Sequence, residues 1–334
     1  MKILVTGGYG FVGRALQAWV ERVALDEHEW IFLHRNDCDL RHPINFANIC
    51  HRERPDWIVH LAAKVGGLYE NMEKGPVMLI DTVKLDLNVV KAACTYASKG
   101  MIGMLSTCIY NPDQHVLSED DLHNGPPHYS NRHYSYAKRL LDMEMEEAAK
   151  RHPDKKFIRL IPTNLYGPGD TSTHVIAELH KKFCAAFLPL LLPYRRLTRS
   201  MVPSSPVDKV KVEIKGSGGA LRQFLHVDDL CQIIELVLTD AEHFLSERIN
   251  VAPPTDVSIL HLVSLMQQAW CRHFPHVRVD IYMDGQYDDG AKRKFASSRR
   301  LRDRLPGCVF KTLSSGIHEL IESEIEKYHI VANT

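Results

Sequence analysis

The chain has 334 residues, of which 45% are hydrophobic and 25% charged, enough for the core of one large or two modest domains. Lysine plus arginine and aspartate plus glutamate each number 41, so the net charge is zero and nothing indicates nonspecific affinity for nucleic acid or membranes. The eight cysteines show neither a CxxC pair nor zinc-ligand spacing, and the first residues lack a signal-peptide pattern. We therefore expect a reduced, cytoplasmic protein with no metal site, no nucleic-acid partner and no membrane association.

Strand and helix patterns alternate along the first half of the chain. We expect strands over residues 2–6, 30–33, 56–61, 101–105 and 156–161, and helices over 11–24, 77–98 and 134–151. This alternation predicts an α/β fold with a Rossmann-like, doubly wound parallel sheet. Ligands of such sheets bind beyond the carboxyl ends of the strands.

The second half of the chain is less regular. We expect a helix over 174–186, an exposed excursion over 188–206, which is rich in proline, serine and basic residues, and a strand followed by a helix over 224–238. The pattern predicts a first domain of residues 1–170, to which 221–250 returns. It also predicts a smaller, mixed α/β lobe made of 171–220 and 251–330.

A glycine motif, Gly7-x-x-Gly10-x-x-Gly13, follows the first strand and opens the first helix. Glycines there permit a tight turn and let backbone N–H groups approach a pyrophosphate at the helix N-terminus. Arg35 lies where an NAD site usually carries an acidic residue, and Arg14 follows the last glycine. Two cations fit a 2′-phosphate, so we expect NADP(H) in the first domain, although ordinary surface arginines remain an alternative.

Other cofactor contacts are expected along the same edge of the sheet. Asp39 offers a carboxylate to the adenine amino group, and the small residues after the third strand allow the ribose and phosphates to approach closely. The further contacts expected in these stretches and after the fourth strand are Gly8, Tyr9, Phe11, Val12, Leu40, Leu61, Ala62, Ala63, Leu105 and Thr107.

A carbonyl-reducing unit is expected between residues 106 and 138. Tyr134 and Lys138 are four residues apart and lie on one helix face, while Ser106 follows the fourth strand. A lysine ammonium favours the phenolate, so we expect Lys138 to lower the pKa of Tyr134 and thereby to help it exchange a proton with a carbonyl oxygen. Cys108 is not needed for this chemistry, and by itself it is more often a buried cysteine at a strand end.

The glycine motif, HLAA, Ser106 and YSYAK resemble the extended short-chain dehydrogenase/reductase superfamily. Narrower segments resemble the GDP-L-fucose synthase family over nearly the whole chain: LSTCIY (105–110), HNGPPHYSNRHYSYAKR (123–139), IPTNLYGPGD (161–170) and GSGGALRQFLHVDDL (216–230). The resemblance implies an NADPH-dependent enzyme that converts GDP-4-dehydro-6-deoxy-D-mannose to GDP-L-fucose by epimerisation at C3 and C5 and reduction at C4. It also implies a homodimer formed through helices 77–98 and 134–151.

The matching positions carry the roles that the resemblance implies. Cys108 falls on the base and His174 on the acid that exchange protons beside the ketone, and both residue types titrate close enough to neutrality for that task. Tyr134 protonates the C4 oxygen, Lys138 also binds the nicotinamide ribose, and Ser106 orients the ketone. Further implied contacts are Pro162, Thr163, Asn164, Leu165 and His174 to the cofactor, and Asn164, Lys182, Arg222 and Asp289 to the substrate.

Departures from the family's pattern leave other substrates open. The loop before His174 is shortened, Lys215 replaces a common tryptophan beside the expected guanine, and the 188–206 stretch is longer than expected. One alternative is a related nucleotide-sugar epimerase or reductase with another substrate. Another is a non-catalytic NADP(H)-binding sensor, against which the intact Ser106, Tyr134 and Lys138 set argues.

Overall fold

The computed structural model describes residues 1–23, 28–63, 74–194, 209–287 and 290–331. In chain order the strands are β1 (Lys2–Thr6), β2 (Glu29–Phe32), β3 (Trp57–His60), β4 (Gly100–Met104), β5 (Lys156–Pro162), β6 (Asn164–Tyr166), β7 (Lys209–Lys215), β8 (Leu221–Arg222), β9 (Phe224–His226), β10 (Arg248–Val251), β11 (Val257–Ser258), β12 (Arg278–Asp284) and β13 (Arg293–Lys294). The helices are α1 (Phe11–Val23), α2 (Pro43–Glu53), α3 (Gly75–Tyr96), α4 (Arg132–Arg151), α5 (Val175–Tyr194), α6 (Val227–Thr239), α7 (Ile259–His273), α8 (Arg299–Arg304) and α9 (Leu313–Val331).

The main sheet is parallel throughout, with the strand order β2-β1-β3-β4-β5-β10. This confirms the predicted doubly wound α/β fold. The direction in which successive strands are added reverses between β1 and β3, whose last residues, Thr6 and His60, are register partners. The crevice beyond these two residues is therefore the topological switch point, where sheets of this kind bind their ligands.

Alternate side chains of the strands enter two separate apolar cores, one on each face of the sheet, because successive strand residues point to opposite sides. Leu4 and Ile58 belong to one core, which also contains buried residues of α2, α3 and α4. Ile3, Val5 and Trp57 belong to the other core, together with residues of α1 and α6. Because both faces are covered, the strand ends that carry the site residues are held on a rigid layer.

The chain divides into two compact units. The first consists of Met1–Leu165, Phe224–Pro254 and Phe295–Phe310, and the second of Tyr166–Gln223, Thr255–Lys294 and Lys311–Thr334. The sequence pattern did not predict the last return of the chain to the first unit, which contains α8 and buries Leu301 in the core beside α1 and α6. In the second unit, β7 pairs in parallel with β12, and β8 lies between β11 and β13.

One expectation for the second unit is wrong at the start of its range, where the chain is helical. Residues 188–206 were expected to form an exposed excursion, but α5 continues to Tyr194 and Leu188 is only 7% exposed. The helix continues through the exposed Pro189, because burial of Phe183, Phe187 and Leu188 outweighs the helix-breaking tendency of proline. The remainder of that stretch, 195–206, lies outside the described residues. Within the described part of the chain, every helix is too short or too polar to span a bilayer.

Candidate active site

A cavity of about 470 Å³ lies at the switch point of the first unit. The ends of β1, β2 and β3 and the loops after them line it, as expected for a nucleotide site on this fold. Nine of the sequence-predicted cofactor contacts line this cavity: Gly7, Tyr9, Gly10, Arg35, Asp39, Leu40, Leu61, Ala62 and Ala63.

The glycine loop has no room for side chains at two positions. Gly7 has φ +70°, and a Cβ there would lie 2.6 Å from the backbone nitrogen of Ala62. A Cβ on Gly13 would lie 2.3 Å from the carbonyl oxygens of both Gly7 and Gly8. The loop thus holds its backbone against β3 and leads directly into α1 at Phe11. This cradle fits a pyrophosphate, because the helix N-terminus offers unpaired N–H groups and a positive dipole end.

The arginines expected at a 2′-phosphate are both exposed. The Arg14 guanidinium donates to the carbonyl oxygen of Tyr9 at 2.9 Å, at the rim of the loop, and Arg35 lines the cavity. A third cation, Arg41, also lines it and was missed by the sequence reasoning. The sequence did offer one indication of Arg41, because the predicted adenine contact Asp39 lies two residues before it.

Asp39 is engaged by that arginine. Arg41 donates to both carboxylate oxygens of Asp39, with the closest contact at 2.7 Å, and also reaches Asp81 at 3.3 Å. Hydrogen bonds from Arg41 hold the pKa of the Asp39 carboxyl well below its ordinary value. An adenine amino group would therefore have to share this carboxylate with Arg41.

The turn after β4 carries Ser106 and Cys108. Leu105 is buried and its N–H donates to Leu160, which aligns the turn with the end of β5. Ser106 caps the short 3₁₀ turn Thr107–Ile109, because its hydroxyl accepts from the N–H of Cys108 at 3.4 Å. Cys108 is half-buried.

Helix α4 holds this turn in place. The Ser135 hydroxyl donates to the carbonyl oxygen of Cys108 at 3.0 Å, and the buried Arg139 donates to the carbonyl oxygen of Ile109 at 2.8 Å. These residues are four apart, like Tyr134 and Lys138 on the neighbouring face of the same turns. Sequence reasoning singled out only the second pair, although YSYAKR contains both.

Lys138 is buried and paired with a carboxylate that sequence reasoning did not find. Its ammonium lies 3.2 Å from a carboxylate oxygen of Asp86 on α3, and the two side chains are 2% and 1% exposed. The net shift in the pKa of Tyr134 is opposite in direction to the one expected from Lys138. Burial raises the pKa of Tyr134 well above its ordinary value, and repulsion from Cys108 and Asp86 adds to this rise.

The end of β5 supplies the next group of predicted contacts. Pro162 is its last residue, the N–H of Thr163 donates to Val251 at 3.1 Å, and Asn164 and Leu165 open β6. The Thr163 hydroxyl is buried and lacks a hydrogen-bond partner among the described residues. An unpaired buried hydroxyl at this edge fits a polar ligand group such as a carboxamide.

Two of the predicted substrate residues, Lys182 and Arg222, belong to the second unit, as does the predicted acid His174, whereas Asn164 belongs to the first. His174 is exposed immediately before α5, after a series of tight turns in which Ser172 binds Asp170 and His174 binds Ser172. Lys182 lies two turns further along α5 and donates to the carbonyl oxygen of Glu213 at 2.7 Å. Arg222 lies on β8. Asp289 lies outside the described residues.

Lys215, which was expected beside the guanine of the substrate, is the last residue of β7. Its ammonium lies 4.6 Å from the centre of the Tyr287 ring. This contact keeps an aromatic ring beside the position where the family usually has a tryptophan.

Comparisons with known proteins agree with this geometry. A model of the NAD dependent epimerase/dehydratase family matches residues 3–252. The chain is 30% identical to the probable GDP-L-fucose synthase of Drosophila melanogaster over 98% of both chains, and 29% identical to the GDP-L-fucose synthase of Dictyostelium discoideum over 98% of this chain and 96% of that one. A GDP-L-fucose synthetase from Naegleria fowleri bound to NADP superposes with a TM-score of 0.82 and 28% identity, over 98% of this chain and 93% of that one.

The chain therefore belongs to the NAD-dependent epimerase/dehydratase family. Within it, the resemblance to GDP-L-fucose synthases that the sequence motifs indicated is confirmed.

Proposed function

We propose that this protein is an NADPH-dependent epimerase and reductase that converts GDP-4-dehydro-6-deoxy-D-mannose to GDP-L-fucose. The observation that carries the proposal is the turn after β4, where Cys108 is held by Ser135 on the same helical turns that carry Tyr134 and Lys138. A proton-exchanging thiol and a carbonyl-reducing pair thus share one edge of the sheet. Relatives named for this reaction match the chain over nearly its full length.

The first unit fits NADP(H). The glycine cradle would hold the pyrophosphate, Arg35 and Arg14 the 2′-phosphate, and the Thr163 hydroxyl a polar group near the nicotinamide. When bound, NADPH supplies the hydride that reduces the C4 ketone. Lys138 binds the nicotinamide ribose in this proposal, and its burial beside Asp86 keeps the ammonium in a fixed place.

Epimerisation needs two proton-transfer groups on opposite faces of the sugar. The C4 ketone acidifies the protons at C3 and C5, Cys108 removes each as the base, and His174 returns a proton as the acid. His174 is suited to this role because it is exposed and the turns before α5 fix its backbone. In this proposal the same pair acts in turn at C3 and C5, and proton exchange with solvent restores the thiolate and the imidazolium between the two steps.

Reduction then uses Tyr134 as the proton donor. Its raised pKa keeps the phenol protonated at neutral pH, which is the form that can give a proton to the C4 oxygen. The Ser106 hydroxyl, at the end of β4, orients that oxygen in this proposal.

The nucleotide diphosphate needs cations, which Lys182 and Arg222 supply in this proposal together with polar contacts from Asn164 and Asp289. The base would contact Lys215 and Tyr287. At this position Lys215 replaces the tryptophan that the family usually places beside guanine. A second candidate is therefore an epimerase or reductase of the same family that acts on another nucleotide sugar. Assaying GDP-, UDP- and dTDP-linked 4-keto sugars in parallel separates the two, since only the first proposal requires GDP.

We also propose that the protein is a homodimer formed through α3 and α4, which pack against each other. Their exposed residues include large apolar side chains at helical spacing: Val77, Ile80 and Leu87 on α3, and Tyr136, Leu140 and Met143 on α4. Burying these side chains against a second copy would form a four-helix bundle.

The experiment combines NADPH consumption with deuterium uptake. Wild-type protein, NADPH and GDP-4-dehydro-6-deoxy-D-mannose in D₂O should yield GDP-L-fucose labelled at C3 and C5. Cys108→Ser should lose the label while retaining much of the hydride transfer, and Cys271→Ser is the control for loss of a half-buried thiol elsewhere. Properly folded protein that consumes no NADPH with this substrate would refute the proposal, and equal loss of both steps would refute the division of roles.

The role of His174 is tested separately. His174→Asn should reduce label incorporation, whereas His261→Asn replaces another exposed histidine at the start of a helix and should change nothing. Unchanged labelling in the first variant would show that a different group returns the proton.

A further inference from the structure

A buried chain of four polar side chains leads away from Lys138 into the first unit. Lys138 pairs with Asp86, the Asp86 carboxylate lies 2.9 Å from His60 Nε2, and His60 Nδ1 lies 2.7 Å from the Thr6 hydroxyl. All four residues are at most 1% exposed. They come from α4, α3, β3 and β1, so the fold, and no single stretch of sequence, assembles the chain.

The protonation states along this chain follow from its contacts. Paired with the ammonium, the Asp86 carboxylate is an acceptor only, so His60 Nε2 must carry a proton and donate it. Burial lowers the pKa of His60, so the ring is neutral and its Nδ1 accepts from the Thr6 hydroxyl. The Thr6 oxygen in turn accepts from the N–H of Ala62 at 3.4 Å. The four side chains therefore carry one negative charge, on Asp86, and one positive charge, on Lys138.

These charges matter for Tyr134. The charges that raise the pKa of its phenol are those of Cys108 in the turn after β4 and Asp86 on α3. Lys138 lies one turn along α4 from Tyr134, on the same helix face. An unpaired ammonium in a buried site would pull the phenol towards its ionised form. A carboxylate 3.2 Å from that ammonium cancels most of this pull.

We propose that Asp86 is a positioning residue of this site: anchored by His60, it neutralises the Lys138 ammonium, so that Tyr134 stays a neutral phenol able to donate a proton. The ion pair also holds the Lys138 ammonium in place, because Asp86 cannot move without breaking its hydrogen bond to His60. The role that we propose for Asp86 rests on the proposed reduction, in which Tyr134 gives a proton to the ketone oxygen. The charge balance itself is a property of the ligand-free protein.

The test is a spectrophotometric titration of tyrosine ionisation in the full, ligand-free chain. Because the chain has 12 tyrosines, each protein is compared with the same protein carrying Tyr134→Phe, and the difference gives Tyr134 alone. We expect Asp86→Asn to lower the midpoint of Tyr134 by about one to two pH units. Glu144→Gln, which removes an exposed carboxylate from α4, should leave the midpoint unchanged. An unchanged midpoint in folded Asp86→Asn would overturn the proposal.

Asp86→Asn leaves a buried ammonium unpaired and can prevent folding. The double variant Asp86→Asn/Lys138→Met removes both charges and decides the question without the single variant. If the charges of Asp86 and Lys138 cancel in their effect on Tyr134, the titration midpoint of Tyr134 in the double variant should match that of the wild type. A midpoint far above wild type would show that the ammonium acts uncompensated on Tyr134, and the proposal would fall.

Activity distinguishes this proposal from the proposed function. If the chain reduces its substrate, the alkaline limb of kcat in Asp86→Asn should move to lower pH by the same amount as the titration. If it does not turn over the proposed substrate, the titration still reports whether Asp86 neutralises Lys138.

Discussion

Gly13→Ala tests how closely the loop after β1 is fitted to its surroundings. The added Cβ would lie 2.3 Å from two carbonyl oxygens, whereas ordinary contacts begin at 3.4 Å, so the backbone must move by about 1 Å. Such overpacking costs about 3 kcal/mol. With an unfolding entropy of about 2 cal/mol/K per residue, the 334-residue chain should lose about 4 °C in Tm. The same displacement moves the N–H groups that would bind the pyrophosphate, so the affinity for NADP(H) should fall more than tenfold.

The measurements are thermal unfolding by circular dichroism and NADPH binding by calorimetry. Gly307→Ala is the matched control, because no described atom beyond its chain neighbours lies within 4 Å of a Cβ at that position in the same unit. It should retain both the Tm and the affinity of the wild type. A Gly13→Ala protein with wild-type stability and wild-type NADPH affinity would refute the close-packing argument.

Three further outcomes follow from the first unit. Arg35→Ala should weaken NADPH binding about tenfold, whereas NADH binding should change little. Calorimetry with both cofactors measures this, and an unchanged ratio of the two affinities would contradict the role of Arg35. Met143→Glu should convert the dimer to a monomer in sedimentation at micromolar concentration, whereas Leu245→Glu, equally exposed but off α3 and α4, should not. Burial lowers the pKa of His60 in the folded protein, so the free energy of unfolding should decrease as the pH falls below about 6.5, the pKa of histidine in the unfolded chain. In His60→Gln, the free energy of unfolding measured with urea should depend less on pH across that range.

Sequence reasoning predicted the main sheet because local periodicity determines it. The predicted strands match β1 to β5 with ends shifted by no more than one residue. The α5 segment was misjudged because Pro189 and Pro193 are strong local signals against a helix, whereas the burial of Phe187 and Leu188 that outweighs them depends on tertiary contacts. The return of residues 295–310 to the first unit was missed for the same reason.

The candidate site was predicted in its residues more completely than in its electrostatics. Motif spacing indicated Tyr134 and Lys138, but the partner of Lys138 is 52 residues away in the chain, where no periodicity connects the two. A signal did exist. Asp86 lies between Leu85 and Val89 on the buried face of α3, and a charge at a core position usually has a structural or functional reason.

The two adjacent four-residue pairs on α4 have a consequence for how this site can change. Ser135 and Arg139 fix the turn that carries Cys108, while Tyr134 and Lys138 form the reducing pair on the next face of the same turns. Under the proposed function, inserting or deleting one residue in this helix would rotate both pairs by about 100° together. Divergence of one chemistry without the other is therefore confined to single substitutions, such as loss of the thiol at position 108, which would leave a reductase that has lost the ability to epimerise.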